Sequence, residues 1–168
     1  MDKIEKILAP TDLSELSQVG VRYALNLAKA LGAEVTAYHA VNNSEVAQYF
    51  EAVKQGTMTE LTLRQADRLL KSYQFALARF LNEHFSDLIP WVRIREKVEM
   101  GAPDKTILAW AEKEGSDLIV ISIHGESDLS DASAGDMAEK IVRNAPCPVL
   151  FVHSRPEEKA GQKAAAVA

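Results

Sequence analysis

The sequence of 168 residues contains a single cysteine, Cys147. One thiol cannot form a disulfide within the chain or a multi-cysteine zinc centre. Cysteine scarcity is typical of proteins in a reducing compartment. No apolar run approaches the ~20 residues of a membrane-spanning helix. The charged first ten residues also lack the apolar core of a signal peptide. We therefore expect a cytoplasmic protein without a membrane partner.

Positive charge is also in deficit, because 19 Lys and Arg face 24 Asp and Glu, a formal net charge of −5. A protein that binds nucleic acid through a general basic field needs the opposite balance, so we expect no nucleic-acid partner. Apolar residues at 47% and charged residues at 26% suit one globular domain. We assign that domain to residues 1–154. Residues 155–168 contain little that could be buried, and we expect a mobile tail there.

Strand and helix patterns alternate along the domain. The predicted strands cover residues 4–9, 34–41, 91–98, 117–122 and 148–153. The predicted helices cover residues 14–31, 44–54, 59–85, 103–114 and 136–144, with a loop over 123–134. This order predicts an α/β fold, an open doubly wound sheet of five parallel strands with helices on both faces. Ligands bind such sheets at the carboxyl ends of the strands, here after strands one, two and four.

Four separated segments carry a family resemblance. They are Lys6-Ile-Leu-Ala-Pro-Thr-Asp-Leu-Ser14, the Gly101-Ala-Pro turn with Glu99 and Met100 before it, and residues 117–125 and 138–152. Together they resemble the universal stress protein family over roughly residues 3–153. The resemblance implies a flavodoxin-like, Rossmann-like fold with strand order 3-2-1-4-5. It also implies homodimers, and a division between members that bind ATP and members that do not.

The phosphate-binding motif departs from the family pattern. Binding members carry Gly-x-x-Gly, nine residues, and then Gly-Ser or Gly-Thr; the matching positions here are Ser122, Gly125, Gly135 and Asp136. A side chain at Ser122 could restrict the approach of phosphate to the backbone. A carboxylate at Asp136 cannot donate a hydrogen bond to phosphate. It also repels an anion ~4 Å away by roughly 4 kcal/mol at an effective dielectric of ~20. We therefore expect weak or absent ATP binding.

Three interpretations of Asp136 stay open. It could cap a helix over a vacant site, since Asp136 and Glu139 have the spacing of a capping box. It could share a divalent cation with the phosphates of a retained adenine nucleotide. A metal site built from the loop acids alone is the third. The first interpretation requires no cofactor, whereas the second makes the protein a sensor of ATP or AMP, with slow ATP hydrolysis as a further alternative.

The resemblance also implies candidate nucleotide contacts outside the phosphate motif. These are Pro10 and Asp12 after strand one, Ala40 and Val41 at the end of strand two, His124 after strand four, and Met137 beside Asp136. Asp12 could equally cap helix one, and Ala40 and Val41 could equally be core residues. His124 and Asp12 suggest a hydrolase triad, but the sequence has no Gly-x-Ser-x-Gly elbow. We therefore expect no enzyme activity and no catalytic residues.

Strand five carries apolar residues on both of its faces. At the edge of a sheet it would expose unpaired N–H and C=O groups, which pairing with a two-fold mate would satisfy. We expect a homodimer through Pro148, Val149, Leu150, Phe151, Val152 and His153, and a further protein partner that the sequence does not identify.

Overall fold

The computed structural model describes residues 3–124 and 132–154. Gly125 and the tail over 155–168 lie outside these ranges. The strands are β1 Lys6–Pro10, β2 Glu34–Val41, β3 Arg93–Met100, β4 Leu118–His124 and β5 Val149–Ser154. The helices are α1 Gln18–Leu31, α2 Ser44–Gln55, α3 Glu60–Phe85, α4 Pro103–Glu114 and α5 Ala132–Asn144, with a 3-10 turn at Ile89–Trp91.

The five strands form one parallel sheet in the order β3-β2-β1-β4-β5. Ile7 of β1 lies between Val35 of β2 and Leu118 of β4, and all three side chains are buried. The predicted α/β fold and strand order are confirmed. Because the order reverses between β1 and β4, the carboxyl ends of these two strands flank a crevice.

Alternate residues of the strands build one core on each face of the sheet. On one face, β1, β2 and β4 pack against α1 and α3, with Leu25, Leu77 and Phe85 among the fully buried side chains. On the other face, Leu8 and Ile119 pack with Trp110 of α4 and Ile141 of α5. A sheet that buries both faces explains the continuous apolar runs in its central strands.

Two predicted helix starts are wrong. Helix α1 begins at Gln18 instead of residue 14, because residues 13–17 form turns that are closed by their own side chains. Helix α5 begins at Ala132, so the predicted loop over 123–134 is shortened at both ends by β4 and by this helix. Strand β3 begins at Arg93, two residues later than predicted, because the 3-10 turn occupies its predicted start.

Within the described ranges, no helix is both long enough and apolar enough to cross a bilayer.

Candidate functional site

The carboxyl ends of β2, β1 and β4 lie side by side along one edge of the sheet. This edge brings together the predicted residues Pro10 and Asp12 after β1, Ala40 and Val41 at the end of β2, and Ser122 near the end of β4. Pro10 is paired in register with Tyr38, and the N–H of Thr11 donates to the Tyr38 carbonyl at 2.8 Å. The ladder therefore fixes the backbone up to the residue before Asp12.

A chain of hydroxyl groups orders the loop between β1 and α1. Thr11 and Ser17 are 6% and 5% exposed, and their hydroxyl oxygens lie 2.6 Å apart. Ser17 donates to the carbonyl of Ser14 at 2.9 Å, so the shared proton belongs to Thr11. Thr11 in turn accepts from the N–H of Leu13 at 3.0 Å. Each hydrogen of this hydrogen-bonded series, on the Thr11 and Ser17 hydroxyls and the Leu13 amide, has one acceptor. The loop therefore has a single hydrogen-bonding arrangement.

Leu13 has a backbone φ of 65°, an unusual conformation for a residue other than glycine. The loop holds it there from both sides, through Thr11 before it and through Ser14, whose N–H donates to the Asp12 carboxylate at 2.9 Å. Asp12 therefore stabilises a turn within the loop and caps no helix, since the N-cap residue of α1 is Ser17. Strain at the end of β1 is maintained by neighbouring hydrogen bonds, as at many ligand-binding loops.

His39 anchors the same loop from strand β2. Its side chain is 7% exposed, and Nδ1 lies 2.8 Å from the Thr11 carbonyl oxygen, to which it donates. Its ring stacks on Tyr73 of α3 with 5.2 Å between centroids. The loop is thus tied to β2 and α3 as well as to β1.

The two candidates at the end of β2 differ in surroundings. Val41 is 1% exposed in the core, and its carbonyl accepts from the N–H of Gly101 at 3.0 Å. Ala40 is half-buried beside the core of the α4 face. Val41 is therefore a core residue in this structure, and only Ala40 retains partial exposure at this strand end.

Ser122 directs its side chain at helix α1. Its Oγ accepts from the N–H of Gly20 at 2.7 Å and donates to the carbonyl of Ser17 at 3.3 Å. The residue at the first glycine position of the motif therefore links β4 to the start of α1.

Asp136 lies in the second turn of α5, so the hypothesis that it caps this helix is wrong. Its carboxylate instead pairs with Lys140 at 2.7 Å, one helical turn later. The two side chains are 55% and 50% exposed. Hydrogen bonding to Asp136 raises the pKa of Lys140. Met137, the next residue, is half-buried against the core on the α4 face.

Of the three remaining candidate residues, the structure describes the backbone of two. Gly125 lies outside the described residues. His124 ends β4, and its backbone pairs with that of Ser154, while Gly135 lies in the first turn of α5. Within residues 3–124 and 132–154, no three His, Cys, Asp or Glu side chains are grouped as metal ligands.

Burial also raises the pKa values of Tyr38 and Cys147. Burial on the α4 face and a 2.6 Å hydrogen bond from its hydroxyl to Glu99 raise the pKa of Tyr38, a residue of β2. Burial, with Asp117 nearby, raises the pKa of the Cys147 thiol. A raised pKa leaves less reactive thiolate at neutral pH.

The sequence interpretation missed two features. The hydroxyl chain uses Thr11, Ser14 and Ser17, whose regular spacing was the only available indication. A cavity of about 600 Å³ also lies between α2 and α3, lined by residues that include Glu45, Tyr49, Gln65, Arg68, Leu69 and Met100. The predicted site residues do not line it. The first turns of α3 lie beside α2.

The order of the sheet and the crevice between β1 and β4 define an open doubly wound α/β domain of the Rossmann-like class. The model of the universal stress protein family matches residues 3–153. The chain belongs to the universal stress protein family.

Relatives agree with this assignment. Universal stress protein MJ0531 of Methanocaldococcus jannaschii is 31% identical over 157 residues, 92% of this chain and 85% of that protein. The solved structure of MJ0577 from the same organism has a TM-score of 0.64 at 24% identity, covering 92% of this chain and 99% of that one. A universal stress protein solved in complex with cAMP has a TM-score of 0.58 at 18% identity, covering 92% and 100%. The two structural likenesses support the shared fold.

Proposed function

We propose that this universal stress protein is a cytoplasmic, non-enzymatic regulatory protein that acts as a homodimer and binds ATP weakly or not at all. The observation that carries the proposal is Asp136, which occupies the Ser or Thr position of the phosphate motif. Its exposed carboxylate supplies an acceptor where phosphate requires a donor. In this proposal the protein acts through an unidentified protein partner and requires no cofactor.

Lys140 does not cancel this effect. Its ammonium group is the nearest described cation to Asp136 and is already engaged by that carboxylate at 2.7 Å. A polyphosphate would have to compete with Asp136 for the same cation. The carboxylate left behind would then repel the incoming charge. The expected affinity therefore falls as the number of phosphate charges rises.

A second candidate function is that of an adenine-nucleotide sensor. The ordered loop that carries Asp12 supports it, because a ligand site benefits from a loop whose conformation is already fixed. The cAMP-bound family member of the same fold also supports it. A nucleotide with one phosphate meets less repulsion at Asp136 than ATP does. AMP is thus the form that this alternative favours.

Calorimetric titration with ATP and with AMP, each with and without Mg²⁺, tests the proposal. We expect no saturable ATP binding below about millimolar concentration. The Asp136 carboxylate repels the phosphates, and each ~1.4 kcal/mol of repulsion weakens binding about tenfold. Native mass spectrometry of freshly purified protein is the second measurement. A co-purifying ATP molecule, or micromolar ATP affinity, would exclude the first function in favour of the sensor.

Strand β5 is the proposed dimer contact. It lies at the edge of the described sheet, and Val149, Leu150, Phe151 and Val152 are only half-buried. An edge strand with apolar side chains on both faces is a ready template for another strand. Antiparallel pairing with a second copy would cover both the backbone groups and these side chains.

Light scattering during size-exclusion chromatography measures the assembly directly. We expect twice the monomer mass of 18.5 kDa. Substituting Leu150→Lys should shift the mass to that of the monomer, because it places a charge in the proposed contact. Phe75→Lys, at a 71% exposed position on α3, is the control and should remain dimeric. A monomeric parent protein would rule out the homodimer.

A further inference from the structure

The first turn of α1 lacks a cap from its own N-cap residue, Ser17. The first N–H groups of a helix have no partner within the helix, and an N-cap hydroxyl commonly accepts from one of them. In this chain the Ser17 hydroxyl is engaged in the loop, with Thr11 and with the Ser14 carbonyl. The N–H of Gly20, in the first turn, needs another acceptor.

Ser122 supplies that acceptor from strand β4. Its Oγ accepts from the Gly20 N–H at 2.7 Å and donates to the Ser17 carbonyl at 3.3 Å, so one hydroxyl bonds both ends of the same turn. We propose that Ser122 is a positioning residue that caps α1 from β4. It thereby holds the loop that carries Asp12 against the carboxyl end of β4, across the crevice.

Gly20 permits this close approach. A Cβ on Gly20 would lie 2.5 Å from the Ser122 Oγ and 2.8 Å from the Ser122 backbone nitrogen. Both distances are too short for real atoms, so a glycine on α1 and a serine on β4 form a matched pair. The serine at the first glycine position of the motif is therefore committed to α1. Exchanging it for glycine removes a cap and does not by itself open a phosphate site.

Hydrogen exchange at single amides, measured by NMR, tests the cap without any ligand. The Gly20 N–H should exchange at least about tenfold more slowly in the wild type than in Ser122→Ala, since a hydrogen-bonded amide must open first. The control amide is Gly32 at the other end of α1, whose N–H donates to Ala28. Its rate should change less than about twofold. Ser122→Thr keeps the hydroxyl and should restore slow exchange at Gly20.

The wild-type measurement stands even where a variant fails to fold. A Gly20 amide that exchanges in the wild type as fast as an unstructured glycine would overturn the assignment. So would equal Gly20 rates in the wild type and in Ser122→Ala.

The effect on ligand binding rests on the proposed crevice. AMP affinity should be weaker in Ser122→Gly than in the wild type, by about threefold or more, because the loop that carries Asp12 loses its support. Tighter AMP binding in Ser122→Gly would contradict the positioning role. Absence of AMP binding in every variant would count against the crevice as a nucleotide site, whereas the cap is decided at Gly20 alone.

Discussion

Two regions that we propose to flank a bound phosphate are stabilised by different forces: the loop between β1 and α1, here the β1 side, and helix α5, here the α5 side. On the β1 side, the hydroxyls of Thr11 and Ser17 are buried and joined in a chain of hydrogen bonds. On the α5 side, Asp136 and Lys140 form one ion pair with half of each side chain in water. A buried group that loses its partner costs about 1–3 kcal/mol, whereas an exposed ion pair adds little because water screens it.

The two sides therefore contribute different properties, conformation on the β1 side and charge on the α5 side. The β1 side determines the conformation of the crevice, and changes there should reduce the stability of the whole domain. The α5 side carries charge on an exposed helix turn, where a substitution can alter ligand preference without unfolding the protein. We expect selectivity for or against phosphate to reside on α5.

The largest effect is expected at Gly20, where the β1 side meets β4. Gly20→Ala should lower the free energy of unfolding by about 2–3 kcal/mol, because the added Cβ overlaps Ser122. Helix propensity alone predicts the opposite sign, a gain of about 1 kcal/mol. Urea denaturation measures the change. Asn26→Ala, at an exposed position of the same helix, is the control and should be neutral or stabilising.

The next effect tests the hydroxyl chain itself. Thr11→Val keeps the shape of the side chain but leaves the Leu13 N–H without its acceptor. Unfolding free energy should fall by about 1–2 kcal/mol. Thr57→Val makes the same change at an exposed hydroxyl, and its effect should stay below about 0.5 kcal/mol. Equal effects for the two variants would remove the contrast between the two sides.

The smallest effect on stability is expected on α5. Asp136→Asn removes the ion pair to Lys140, and its shift in urea midpoint should be under about a fifth of that for Thr11→Val. The remaining shift should disappear in 1 M salt, where charges are screened within ~3 Å. A large, salt-independent loss of stability would show that the α5 side also determines shape.

The fold followed from the sequence more fully than the site did. Short apolar runs indicate the strands and apolar residues at helical spacing indicate the helices, because both patterns depend on neighbours along the chain. Glycine stops at Gly32, Gly56 and Gly115 end three helices in left-handed conformations. The strand order came from the resemblance, since periodicity says nothing about which strands are adjacent.

The site depends on contacts that no local pattern reveals. The bond between Ser122 and Gly20 joins residues 102 positions apart. The motif alone therefore predicts only that the side chain of Ser122 restricts the approach of phosphate. The resemblance of Asp136 to an N-cap residue predicts a helix start there, whereas α5 begins four residues earlier, at Ala132. The ion pair between Asp136 and Lys140 is predictable from the sequence, because residues four apart on a helix are neighbours.

The central claim is that the carboxylate of Asp136 weakens binding of polyphosphate to an otherwise formed crevice. Calorimetric titration of ATP into Asp136→Ser, with the wild type and Glu139→Gln measured alongside, tests it most directly. Glu139 pairs with Arg143 on the same helix and controls for the loss of one negative charge. We predict ATP binding about tenfold tighter in Asp136→Ser and nearly unchanged in Glu139→Gln, because only the former removes charge beside the phosphates. Equal ATP affinity in Asp136→Ser and the wild type would contradict the claim.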